Sequence, residues 1–138
     1  MSVKITDNTG EVLDALKQAI ENGLEAIGIQ ADGYAVLNLE NEPRRVDTGY
    51  LRNSITYAIS GKEAKKSSYS SDDGSKKGSY SGTAPGDEGK SVIIGTNVDY
   101  AGYVHDGTSK MAPNRFLTNA AEKGQEYMAI MKSSLEGK

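Results

Sequence analysis

The chain has 138 residues, 36% of them hydrophobic, no cysteine and a net charge of −3. That length fits one domain, 1–138, with a modest core. The missing cysteines exclude disulfides and thiolate metal sites, and the acidic balance disfavours non-specific nucleic-acid binding, which needs a basic footprint.

No apolar run approaches the roughly 20 residues of a membrane span. Met1-Ser2-Val3-Lys4 lacks the apolar core of a signal peptide, so synthesis and assembly in the cytoplasm are expected. Asn8-Thr9-Gly10-Glu11 fits a capping box, with Asn8 as cap and Glu11 reaching back. Val12, Leu16, Ile20, Leu24 and Ile27 then recur at helical spacing, with Leu13 and Ala19 widening the stripe. Asp14, Lys17, Gln18, Glu21 and Glu25 occupy the opposite face, as in an amphipathic helix. The pattern runs on through Tyr34 and Leu37 and should stop before Pro43. Gly23, Gly28 and Gly33 each weaken the helix by about 1 kcal/mol relative to alanine if exposed, so tertiary packing has to supply that stability.

Asp47 or Thr48 is placed to cap a short helical turn holding Leu51. Residues 54–60 alternate, with Ile55, Tyr57 and Ile59 on one face of a strand. Residues 62–90 are mostly Ser, Gly, Lys, Asp and Glu, and Tyr69 and Tyr80 are their only large apolar side chains. Such a stretch is expected to stay a disordered or mobile hairpin arm, because it buries too little surface to offset the entropy of ordering. Removing 65–86 is then expected to leave the fold intact.

Residues 92–116 carry many start and stop signals in little space. Val92-Ile93-Ile94 is a β-branched run that fits a buried strand. Asn97 or Asp99 can cap a helix on which Tyr100, Tyr103 and Val104 share a face. Gly107 can close that helix in the left-handed conformation, and Pro113 makes a second break. Phe116, Leu117, Ala120, Ala121, Tyr127, Met128, Met131 and Leu135 mark a second long helix. The order predicts an α+β domain: a small antiparallel β-sheet packed against two long helices, N- and C-terminal, with a long flexible hairpin arm.

Asp47-Thr48-Gly49 resembles the loop around an aspartic-protease carboxylate, but that chemistry needs two carboxylates sharing a proton, and one copy is present. The ordinary role of the triplet is a cap and a tight turn. His105, the only histidine, lies beside Asp106 at a helix end, where the dipole favours the charged form. No spaced cluster of ligands accompanies it, so neither metal nor cofactor is expected. Arg44, Arg45 and Arg52 are candidates for phosphates or for acidic residues of a neighbour, with Arg52 the best placed for a specific ion pair.

Two motifs carry a resemblance. The first is Val46-Asp47-Thr48-Gly49-Tyr50-Leu51-Arg52-Asn53-Ser54-Ile55. The second is Gly95-Thr96-Asn97-Val98-Asp99-Tyr100-Ala101-Gly102-Tyr103-Val104-His105-Asp106-Gly107-Thr108, followed by Pro113, Arg115 and Phe116-Leu117. In this order, between two helices, they resemble the minor tail-component proteins of long-tailed phages, the tail-completion or head-to-tail joining family. Two features depart from the family pattern: Arg45 stands where a small or apolar residue is usual, and the 62–90 arm is unusually polar.

The resemblance implies a virion structural protein without catalysis. It would form a ring, as a rule six-fold, between the head connector or stopper and the tail tube or tail terminator. Its partners would be further copies of itself, those neighbouring rings and, transiently, DNA in the channel. It also implies an interaction role for Asp47, Thr48, Gly49, Leu51, Arg52, Tyr100, Tyr103, His105, Gly107, Thr108, Lys110, Pro113 and Phe116. The alternative from another class is a DNA-contacting regulator or host-interaction module using Arg44, Arg45 and the arm's lysines.

Overall fold

The structure, a computed structural model, describes residues 9 to 137. The expected cap at Asn8 lies outside the described residues. Helix α1 spans Thr9–Glu40 without interruption, about 48 Å at 1.5 Å per residue. Its glycines explain how it survives them. A side chain at Gly28 would meet the Tyr57 ring at 2.3 Å, and one at Gly23 would meet Met131 Sδ at 2.6 Å. These two glycines are the points where a strand and the C-terminal helix press closest, so packing replaces the lost propensity. Gly33 has open space instead.

The apolar stripe of α1 divides in two. From Leu24 to Leu39 it faces the core, with Ala31, Ala35 and Leu39 buried. Residues 10–18 are all exposed, and Val12, Leu13 and Leu16 are 55%, 58% and 47% accessible. Among the described residues no other element covers these first turns.

Helix α2 (Tyr50–Ser54) leads into strand β1 (Thr56–Ile59), which pairs antiparallel with β4 (Val92–Gly95), Thr56 opposite Gly95 and Ile59 opposite Val92. All four residues of β1 are buried, not one face alone. α1 covers one side, through Gly28 against Tyr57. The 62–90 segment closes on the strand from elsewhere: Lys65 N donates to Tyr57 O at 2.9 Å and Lys66 N to Thr56 Oγ1 at 3.0 Å. β4 is less buried than its composition predicts, with Ile93 38% accessible. Among the described residues β1 is the only strand it pairs with.

The expected disordered arm is instead a folded hairpin. Strands β2 (Ser68–Ser70) and β3 (Lys77–Ser79) pair around Asp73-Gly74. Tyr69 is buried in the main core and Tyr80 packs against it. The rings of Tyr50, Tyr69 and Tyr80 form a tilted row with centroids 5.2 and 5.5 Å apart. Two aromatic rings bury enough area to offset much of the ordering entropy of a short hairpin.

Helix α3 (Ala101–Asp106) is followed by α4 (Phe116–Ala121) and α5 (Gly124–Leu135). The expected single C-terminal helix is thus two. The Tyr127 hydroxyl donates to the carbonyl of Ala120, replacing the bond that a continuous helix would make there. The break lets α4 and α5 both pack on α1. The result is an α+β domain with helices packed on a small antiparallel sheet. Its core centres on Leu39, Leu51, Ile55, Tyr69 and Phe116.

Candidate functional site

The first motif builds the seat of the hairpin. Gly49, with φ 82°, occupies the N-cap of α2 in the left-handed region. Neither Asp47 nor Thr48 caps the helix from its side chain in the expected way. Thr48 Oγ1 accepts only a long 3.4 Å bond from Tyr50 N, and its carbonyl accepts Asp72 N at 2.8 Å. A Cβ on Gly49 would sit 2.5 Å from Asp72 Oδ1, so glycine serves both the turn and the approach of that carboxylate. Asp72 Oδ1 accepts from Arg52 Nη2 at 2.6 Å and from Asn53 Nδ2 at 2.9 Å. These bonds, Asn53 first, hold its carboxyl below the ordinary aspartate range. Arg52 also lies 3.6 Å from Glu40. The ion pair expected of Arg52 is therefore present, but it is intramolecular. Leu51, 5% accessible, is buried beneath it.

The second motif turns the chain twice. Asn97 and Asp99 do not cap α3; Tyr100 occupies that position. Asn97 instead ties the hairpin, donating to Ser79 O at 2.8 Å and accepting the Tyr69 hydroxyl. Burial and the neighbouring Tyr50 push the Tyr69 phenol up. Tyr100 is half-buried beside the core, whereas Tyr103 is 66% accessible.

Gly107 closes α3 with φ 79° and ψ 174°, a glycine-only extended conformation in place of the expected left-handed helical one, and a Cβ there would lie 2.8 Å from Pro113 N. Thr108 and Met111 bridge across a tight turn that leaves Thr108 and Lys110 exposed. Pro113 is also exposed, while Phe116 is fully buried. His105 Nδ1 lies 2.9 Å from Asp106 Oδ1. Its Nε2 accepts Thr118 N at 3.3 Å and lies 2.9 Å from Thr118 Oγ1.

A cleft of about 490 Å³ opens between the two motifs. Its floor is Tyr50, Leu51, Tyr100 and Val104, and its rim carries Arg44, Arg45, Arg52 and Lys76 against the single carboxylate of Asp47. Lys76 Nζ sits 4.5 Å from the centroid of the Tyr50 ring and 5.5 Å from that of Tyr100, a cation–π placement worth about 0.5–1 kcal/mol at an exposed site. Arg45 donates to the carbonyls of Arg44 and Ala112 at 3.1 and 2.9 Å, and its buried Nε has no acceptor. Such an orphan costs about 1–3 kcal/mol.

The structure thus brings together Asp47, Thr48, Gly49, Leu51, Arg52 and Tyr100, and leaves His105, Gly107, Thr108, Lys110, Pro113 and Phe116 outside the cleft lining. Tyr103 stands apart on the exposed side of α3. Sequence reasoning named Lys76 only among the arm's lysines, and it passed over Asp72 and the buried Asn114, whose Nδ2 donates to Asn38 O and Pro43 O at 2.8 and 2.9 Å. Asp73-Gly74 between two tyrosines was a legible hairpin signal. Asn114 had none. Among the described residues no group of three or more His, Cys, Asp or Glu side chains is placed to hold a metal ion. No described helix is long and apolar enough to cross a membrane. Comparison with family models, curated proteins and solved structures finds no match to this chain.

Proposed function

We propose that this chain is a virion assembly protein, a tail-completion or head-to-tail joining subunit of a long-tailed phage that works as a ring. The observation that carries the reading is the start of α1, which no element among the described residues covers. Val12, Leu13 and Leu16 are about half exposed on nine consecutive solvated residues, 10–18. An apolar helical end held out from the body is a surface awaiting a partner. The outer edge of β4 and the exposed Tyr103 add to it, since a free strand edge and a solvated tyrosine are both satisfied at an interface. The two sequence motifs support the same assignment. The role is binding, without catalysis, and its partners are further copies, a connector ring and the tail tube.

The test is quantitative mass spectrometry of purified particles after induction of the source phage. A low, fixed ratio to the major capsid protein is expected, and complete absence from otherwise normal particles would overturn the assignment. A second reading, a DNA-contacting module, draws on the rim cations Arg44, Arg45 and Lys76. It predicts micromolar duplex binding that falls steeply with salt.

A further inference from the structure

We propose that the cleft receives the acidic loop at Asp87-Glu88 of a second copy of this chain, so that copies join head to tail. The inference rests on the ring reading above and names its contact.

The cleft holds more positive charge than its own chain uses. Arg52 is taken by Asp72 and Glu40, whereas Arg44 and Lys76 have no carboxylate partner among the described residues. Arg45 is held only by carbonyl oxygens, with its Nε unsatisfied. This excess sits in a chain whose net charge is −3, so it is local.

The chain sets two carboxylates side by side in only two places, Asp72-Asp73 and Asp87-Glu88. The first pair is consumed at home. Asp72 binds Arg52, and Asp73 Oδ1 accepts from Ser71 Oγ, Ser75 N and Ser75 Oγ at 2.7 to 2.9 Å. Asp87 and Glu88 are both exposed and make no ion pair among the described residues. Their backbone is nevertheless anchored. Gly89 N donates to Ser60 O at 3.0 Å and Lys90 N to Asp87 O at 3.3 Å. The loop is therefore a fixed acidic projection.

Loop and cleft lie far apart on one copy. Gly89 abuts Glu21 of α1, while the cleft begins just past the end of that helix at Glu40. Nineteen helical steps separate Glu21 from Glu40, about 28 Å. Complementary patches so placed meet only between copies. A contact between unlike patches propagates, closing as a ring or continuing as a filament. Opposite charge steers the encounter and sets its register. A nucleic-acid phosphate is the rival occupant, but the net charge of −3 disfavours a polyanion overall.

Because the chain has no cysteine, the contact can be trapped directly. Oxidation of K76C/E88C is expected to give a ladder of disulfide-linked multimers, and each single variant at most a dimer. A double variant that stops at dimer or monomer would overturn the contact. Independently, R44E/K76E and D87K/E88K are each expected to weaken self-association at least about tenfold, and mixing the two variants should restore it. Self-association indifferent to both reversals would overturn the contact while leaving the ring reading standing. Loss of that reading is seen separately, as absence of the chain from particles. Duplex DNA binding abolished by R44E/K76E, with self-association unchanged, would assign the cleft to phosphate instead.

Discussion

Gly49 shows how much one residue can be asked to do. It turns the chain at positive φ and admits Asp72 to within contact of its backbone. Gly49→Ala is expected to destabilise the domain by about 1–3 kcal/mol, from left-handed strain plus displacement of the carboxylate; a denaturant melt measures it, and a wild-type midpoint would show that the hairpin is not seated there. Two carboxylates give opposite pH signatures. Bonds from Ser75 and then Ser71 lower Asp73 to about 2 from the ordinary 3.8. Its contribution is therefore present above pH 3.8 and is lost as pH falls toward 2. Burial raises Asp32, with Lys66 opposing, so its contribution is present below the ordinary value and lost as pH rises through the raised one. Asp73→Asn should flatten the acid limb of a Tm against pH curve, and Asp32→Asn should raise Tm at pH 7. The reverse pattern would show the two environments misassigned.

Helix α1 and the β2–β3 hairpin make the case for the element. Gly28 and Gly33 have the same intrinsic cost in a helix but different surroundings. Gly33→Ala is expected to stabilise by up to about 1 kcal/mol. Gly28→Ala should destabilise instead, because its methyl would collide with the Tyr57 ring 2.3 Å away. Equal effects of the two changes in thermal melts would mean that α1 does not press on β1. The hairpin is part of the body, since Tyr69 is 9% accessible in the main core. Tyr69→Ala should cost about 3–5 kcal/mol, the usual range for a large aromatic, and excision of 65–86 should lower Tm sharply. A stable, cooperative fold after excision would restore the picture of a mobile arm.

Among the described residues the core lies at the C-terminal end of α1, and the other end, residues 10–18, is exposed. That asymmetry separates folding from assembly. Replacing Val12, Leu13 and Leu16 together with aspartate should leave Tm nearly unchanged, because no core contact is lost. The same change should exclude the chain from particles or from crosslinked multimers. A large fall in Tm would show that these turns pack on the body and are not held for a partner.

Some of this was legible in the sequence because it depends on local spacing. The 3.6-residue period of α1, the presence of a strand within residues 54–60, the stop before Pro43 and the α+β order all follow from backbone geometry and side-chain shape. Gly107 as a closing residue followed in the same way. Other features depend on what lies across a gap in the chain. Whether Tyr69 finds a ring to pack on, whether Asn97 caps a helix or ties a hairpin, and where Asp72 meets Arg52 are decided by segments 11 or more residues away. The C-terminal break belongs with them, since Tyr127 competes for a carbonyl that periodicity assigns to the helix. Local sequence determines which backbone conformations are cheap. Tertiary packing decides which polar groups are satisfied and which apolar faces stay open, and the proposed assembly rests on the faces left open.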